Sequence, residues 1–137
     1  FNTIHSIDSV KLINQLQNRC EQADCSLNIL LQVNVSGEDS KFGVKPEDLQ
    51  SLIDTAIMAE NLHLKGLMTI PPFCSDPENS RRYFAALREL AVKKLIDSGL
   101  VQWDNLELSM GMSGDYLVAI EEGATMVRVG TAIFGAR

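Results

Sequence analysis

The chain has 137 residues, 45% of them hydrophobic and 22% charged, which is ordinary for one globular domain and excludes a disordered tail. Its formal net charge of −6 and pI near 4.8 argue against nucleic acid or an anionic membrane surface as a general partner, because the overall field attracts neither. No run approaches the roughly 18 consecutive apolar residues of a membrane span, and Phe1-Asn2-Thr3-Ile4 has neither a basic flank nor a long apolar core, so a soluble, cytoplasmic chain is expected.

Asn2 to Ile7 reads as a short strand, and Asp8 or Ser9 is placed to cap a helix with an apolar stripe of Val10, Ile13, Leu16 and Cys20. Leu27 to Val35 is nearly continuous in Leu, Ile and Val, as a strand covered on both faces should be; Asn34 is the exception. A polar loop, Ser36 to Gly43, precedes a helix opened by Lys45-Pro46-Glu47-Asp48. There proline suits the first turn and the acids suit the positive end of the dipole. Leu49, Leu52, Ile53, Ala56 and Ile57 form its expected buried face. Leu62 to Ile70 is a third strand, stopped by Pro71-Pro72, which cannot continue a hydrogen-bond ladder.

After the loop from Phe73 to Asn79, a longer helix turns Phe84, Leu87, Leu90, Ala91 and Leu95 inward and closes at Gly99. Asn105 to Met110 and Thr125 to Ile133 are the fourth and fifth strands. Between them Tyr116 to Glu122 carries Leu117 and Ile120 at i, i+3 and ends at Gly123, which suits a short helix with a glycine cap.

Strand and helix alternate throughout, with no linker or low-complexity segment, so residues 1–137 read as one α/β domain of parallel βα units. About five strands are present, where a closed (β/α) barrel needs eight. The residues alone admit an open, flavodoxin-like sheet or part of a barrel. Cys20, Cys25 and Cys74 form an odd set without Cys-x-x-Cys spacing or a histidine pair to complete a metal site, and read as reduced, structural residues. His5 shares a strand face with Thr3 and Ile7 and reads as a packed side chain.

The chemistry concentrates at the last two strands. Strand periodicity puts Met126, Arg128 and Gly130 on one face and Val127 and Val129 on the other, so Arg128 interrupts an apolar strand. A guanidinium keeps its charge and is costly to bury alone, so it needs a carboxylate, a phosphate or a ring nitrogen as acceptor; a structural ion pair is one solution and an anion site another. Met112-Ser113-Gly114 and Gly130-Thr131 each combine backbone N–H groups, unshielded by bulky side chains, with a hydroxyl, which is the chemistry of an anion cradle.

Leu-Ser-Met-Gly-Met-Ser-Gly-Asp at 108–115 and Glu-Gly-Ala-Thr-Met-Val-Arg-Val-Gly-Thr-Ala-Ile-Phe-Gly-Ala-Arg at 122–137 resemble the C-terminal signature of the pyridoxal-phosphate homeostasis proteins, single-domain relatives of the alanine racemase barrel. The resemblance continues through Leu31-Gln32-Val33-Asn34-Val35, Ser40-Lys41-Phe42-Gly43 and Gly66-Leu67-Met68-Thr69-Ile70-Pro71, and covers essentially the whole chain.

The resemblance implies a partial barrel of the alanine-racemase type, strands four to eight of eight, without the first-strand lysine that forms the family's Schiff base. It also implies a pyridoxal 5′-phosphate site with a phosphate cradle of Ser113, Gly130 and Thr131, and Arg128 facing the pyridine nitrogen. Lys41 matches a loop position where the racemases carry an arginine near the cofactor. Asn34, Met68 and Met110 stand at strand ends, though methionines there are commonly core filler. No catalytic residue and no metal ligand is implied. Exposed strand edges predict self-association.

Overall fold

Five strands, Thr3–Ile7 (β1), Leu27–Gln32 (β2), Leu62–Met68 (β3), Glu107–Met112 (β4) and Met126–Arg128 (β5), pair in parallel in a computed structural model of the chain. Their order across the sheet is their order in sequence. The structure describes residues 3–36, 43–71, 75–112 and 114–128, with the backbone alone for His5 and Arg128. Consecutive order separates the two expected architectures. A flavodoxin-like sheet steps back across its first strand, whereas neighbouring strands of a (β/α) barrel follow one another around an arc. The sheet has the barrel order and is a partial barrel.

Right-handed crossovers between neighbouring parallel strands put every connecting helix on the same face. The helices are Val10–Ala23 (α1), Leu49–Met58 (α2), Arg81–Ala91 (α3) and Tyr116–Glu121 (α4). Their apolar stripes meet Ile7, Ile29, Leu31, Val33, Leu67, Leu108 and Met110 in one core cluster. Leu30 and Met68 are buried outside that cluster, on the opposite, concave face, as alternation along β2 and β3 requires.

Ser9 caps α1: its hydroxyl oxygen accepts from the Leu12 N–H at 3.1 Å. Ile13 and Cys20 are buried and Leu16 is half-buried, but Val10, expected in the same stripe, is exposed. In α2 the stripe of Leu49, Leu52, Ile53 and Ala56 is buried, and the expected Ile57 is exposed. At 3.6 residues per turn Ile57 falls at the border of the stripe that the other four centre. α3 buries Phe84, Leu87 and Ala91 and runs on into a π-helical segment, Val92–Ile96, which turns Leu95 into the core before Gly99 ends it at φ +80°.

The short helix α4 forms where expected but on the other face. Leu117 and Ile120 are exposed and Val118 and Ala119 buried. Gly111 explains the rotation: a Cβ built there would stand 2.6 Å from the Ala119 Cβ. The helix seats its smallest side chain against a strand position with none, which brings the two backbones close.

The strands are shorter than the apolar runs suggest. β2 stops at Gln32 and is prolonged by a single bridge between Val33 and Val44, and β3 stops at Met68, ahead of Pro71. β4 begins at Glu107 and reaches Met112, past the expected Met110. Irregularities between Ile29 and Leu30, and between Ser109 and Met112, insert an extra residue into β3 and β4 respectively. In β3 the extra residue falls at Lys65-Gly66, where Gly66 pairs with Glu107. The Glu107 carbonyl oxygen lies 1.7 Å from where a Gly66 Cβ would be. No side chain fits that approach.

Gly66→Ala should therefore cost well over about 2 kcal/mol, the middle of the overpacking range, since a backbone carbonyl cannot step aside. Gly99→Ala, with nothing within 4 Å of its Cβ, should cost only the left-handed backbone penalty of about 1 kcal/mol. Urea midpoints for the two variants should rank in that order; similar midpoints would mean that β3 and β4 are not in this register.

Candidate functional site

The pairing of Met112 with Arg128 sets the carboxyl ends of β4 and β5 side by side. The turn leaving β4 is tied by two bonds: the Met112 N–H donates to Asp115 Oδ1 at 2.7 Å, and the Asp115 N–H donates to the Met112 carbonyl at 3.1 Å. The short side chain of Asp115 is thus tied back to the last residue of β4. A Cβ at Gly114 would meet nothing within 4 Å, so the backbone there is open to a ligand.

Ser113, Gly130 and Thr131 lie outside the described residues, as does the Arg128 side chain. The described framework pairs Met112 with Arg128, the last described residues before them in β4 and β5. Ser113 follows Met112 directly, and Gly130 and Thr131 follow Arg128 by two and three residues. Val127 packs on the core side of β5, as the alternation predicts.

The same end of the sheet holds buried polar side chains. Thr69 donates its hydroxyl to the Val33 carbonyl at 2.7 Å, and its N–H reaches the Ser109 carbonyl at 3.1 Å. Asn34 is buried and its Oδ1 accepts from the Ser36 hydroxyl at 2.9 Å. Asn34 and Met68 thus stand toward the concave face, whereas Met110 belongs to the helix-side core and is filler. Lys41 and Cys74 lie outside the described residues. Among the described lysines, Lys11 and the Lys93-Lys94 pair are helical, Lys45 is exposed ahead of α2, and Lys65 is in the middle of β3, so none ends a strand. No group of His, Cys, Asp and Glu among the described residues could hold a metal ion.

Sequence reasoning missed the ion network behind α4. Arg81 donates to Glu78, Glu121 and Glu122, with N···O distances of 2.8, 2.5 and 2.7 Å. Arg88, further along α3, donates Nη1 to Glu122 Oε1 at 2.8 Å and to the Glu122 carbonyl at 3.1 Å. Glu122 is the least exposed member. The Arg81 hydrogen bond, with help from Arg88 and against the cost of desolvation, holds its carboxyl below the usual range. Arg81 also lowers Glu78 by hydrogen bonding, and its own pKa is raised, first by Glu78. The signal in the sequence was two arginines on one face of a helix and two adjacent glutamates before a glycine. The network fastens the turn between α4 and β5 to α3, and so fixes where β5 begins.

Two cavities are lined by described residues away from this end of the sheet. One of about 220 Å³ is lined by Arg88, Trp103, Leu106, Leu108, Gly123 and Thr125, near the amino ends of β4 and β5. Another, of about 250 Å³, lies between α1 and α2 beside Gln17 and Thr55.

A family model described as the alanine racemase N-terminal domain matches residues 2–137. The pyridoxal phosphate homeostasis protein of Pseudomonas aeruginosa is 46% identical over 138 residues, covering all of this chain and 56% of that protein. The Aquifex aeolicus protein of the same name is 44% identical over 134 residues, covering 98% and 58%. The chain thus spans a little over half the length of these curated relatives. Among solved structures, PipY of Synechococcus elongatus with PLP bound superposes with a TM-score of 0.86 at 33% identity, over 98% of this chain and 61% of that one. An alanine racemase of Clostridium difficile, at 16% identity and a TM-score of 0.71 over 98% and 36%, shares the fold.

The network carries a pH signature. A carboxyl whose folded pKa is depressed contributes stability above its ordinary value of 4.5, and that contribution is lost as pH falls through the folded value. Glu122→Gln should therefore melt below the unaltered chain at pH 7, and the two melting temperatures should converge under acid. Glu121→Gln, at a far more exposed position, should lose less. A pH-independent gap for Glu122→Gln would remove the ion pairs as its cause.

Proposed function

We propose, because this chain belongs to the alanine racemase N-terminal domain family, that it binds pyridoxal 5′-phosphate and serves the cell's handling of that cofactor without a committed reaction of its own. The observation that carries the reading is the Met112–Arg128 register, which pairs the strand ends that the two glycine and hydroxyl stretches follow in sequence. Similarity to PipY, solved with PLP bound, and to the pyridoxal phosphate homeostasis proteins supports the ligand.

In this reading the Ser113 hydroxyl, the Gly130 and Thr131 N–H groups and the Thr131 hydroxyl hold the phosphate. The open backbone at Gly114 and the tie from Asp115 to Met112 fit that task. Arg128 faces the pyridine nitrogen. A guanidinium there donates a hydrogen bond and keeps the nitrogen unprotonated. Bound pyridoxal phosphate supplies an electron sink, and an unprotonated ring is a weak one, which suits holding the cofactor better than carbanion chemistry. Racemisation would also need a second acid-base group, and Tyr83 and Tyr116 belong to α3 and α4.

We read residues 1–137 as one unit of a partial barrel and its setting as the cytoplasm, for which the free state of Cys20 and Cys25 is support. No helix among the described residues is long and apolar enough to cross a membrane. Among the described residues β1 and β5 each pair on one side only, which supports association between copies.

Titration with pyridoxal phosphate, followed by visible absorbance, should give a saturable change. Thr131→Pro, which deletes one N–H, should weaken binding by about tenfold or more, the worth of a hydrogen bond to a charged group. Equal binding by Thr131→Pro would remove Thr131 from the cradle, and absence of saturation would remove the reading itself. Light scattering should report assemblies larger than one chain; a monodisperse monomer would refute association.

A further inference from the structure

We propose that Cys20 and Cys25 form a reversible disulfide across the C-terminal cap of α1 when the chain meets a peroxide. The inference is independent of the cofactor site.

The pair is built by the way α1 ends. Asp24 takes the left-handed conformation, φ 53°, and its N–H reaches the carbonyls of Cys20 and Glu21. The Cys25 N–H then donates back to the Cys20 carbonyl at 3.0 Å. This is the six-to-one hydrogen bond of a Schellman cap, a motif in which the side chains of the two bonded residues face each other, usually as an apolar contact. Here both are cysteines.

The Cys25 backbone is fixed at its other end too. Its carbonyl accepts from Asn61 Nδ2 at 2.7 Å. Asn61 is itself held by Gln17 of α1, whose Nε2 donates to Asn61 Oδ1 at 2.8 Å and whose Oε1 accepts from the Asn61 N–H at 2.9 Å. The Asn61 carbonyl accepts from the Leu27 N–H at 2.9 Å, the first residue of β2. Cys25 is therefore gripped between the helix it follows and the strand it precedes, with its thiol beside that of Cys20. A disulfide requires neighbouring Cα atoms and converging Cβ vectors, and a cap that already pairs the two backbones supplies the first of these.

Burial divides the roles. Cys25 is exposed and Cys20 is buried. The Cys20 thiol is pushed up from its ordinary pKa, first by burial and then by the Cys25 thiol, so Cys20 stays protonated and out of reach of solvent oxidants. Cys25 as thiolate attacks one peroxide oxygen: an S–O bond forms, the O–O bond breaks, and the departing oxygen leaves as water after protonation. Cys20 sulfur then attacks the Cys25 sulfenic sulfur, giving up its proton, and the hydroxyl leaves as a second water. Two thiols are oxidised, one peroxide is reduced, and a dithiol reductant reverses the change.

The test uses the full chain carrying Cys74→Ser, so that only this pair is available, and hydrogen peroxide as the probe. Trypsin releases a fragment from Cys20 to Lys41 that holds both cysteines. After peroxide and alkylation, the expected product is that fragment lacking two hydrogens and carrying no alkyl group, with both thiols alkylatable again after dithiothreitol. The oxidised chain should melt higher, as a covalent closure limits the unfolded state. In Cys20→Ala the Cys25 sulfenic acid should persist and be trapped by dimedone; in Cys25→Ala, Cys20 should remain alkylatable once unfolded after the same dose.

Sulfinic or sulfonic acid at Cys25 beside an intact Cys20 thiol in the Cys74→Ser chain would overturn the proposal. So would disulfides joining two chains, or absence of oxidation at doses that oxidise free cysteine. The primary readout needs neither alanine variant to fold.

Discussion

The approach of the Glu107 carbonyl to Gly66 is the contact on which the sheet depends. It lets β3 absorb an extra residue and still deliver Leu67 to the helix-side core and Met68 to the concave face. β4 takes its register from that pairing, Gly66 to Glu107 and Met68 to Ser109, and β5 takes its register from β4. The neighbourhood of Met112 and Arg128 is thus settled several strand positions away, by the lack of a side chain at one residue. Backbone fit of this kind is unforgiving, because a ladder displaced by one residue turns every side chain to the other face.

The two ends of the sheet are treated differently. At the amino ends, side chains tie elements to one another: Gln17 and Asn61 hold the start of β2, and the Thr125 hydroxyl accepts from the Leu108 N–H at 2.9 Å to hold β5 against β4. At the carboxyl ends the Thr69 hydroxyl ties β3 to the Val33 carbonyl, and local bonds run from Asp115 to Met112 and from Ser36 to Asn34. In (β/α) architectures binding concentrates at the carboxyl ends of the strands. The Arg81 and Arg88 network joins the two regimes, since it fastens the last turn before β5 from outside the sheet.

Periodicity carried most of this fold. The helix stripes around Ile13, Ile53 and Leu87, and the apolar run at Leu27 to Val35, were legible because large side chains announce which face is buried. α4 was misread for the converse reason: its buried face is made by Ala119 against Gly111, where close approach rather than bulk provides the contact, and the larger Leu117 and Ile120 point outward. Strand order was not legible from periodicity, because alternating strands and helices fit several windings; the family resemblance supplied the barrel. At the candidate site, Arg128 stood out because a charge in an apolar strand asks for an acceptor, whereas the partners of Glu122, Arg81 and Arg88, lie 41 and 34 residues back and only the folded chain makes them neighbours. The Schellman pair of cysteines was visible as a spacing and silent as chemistry until Asp24 was seen to turn left-handed.

The π-helical segment at Val92–Ile96 holds one residue more per turn than the helix it extends. Such a bulge is a record of length: the segment fits its place with a surplus residue, and the surplus lets Leu95 reach the core while Lys93 and Lys94 stay outward. Shortening by one residue would make the helix regular and, at about 100° per residue, swing everything beyond the cut around the axis. Regularity and correct orientation are therefore alternatives in this stretch, and the chain has taken orientation.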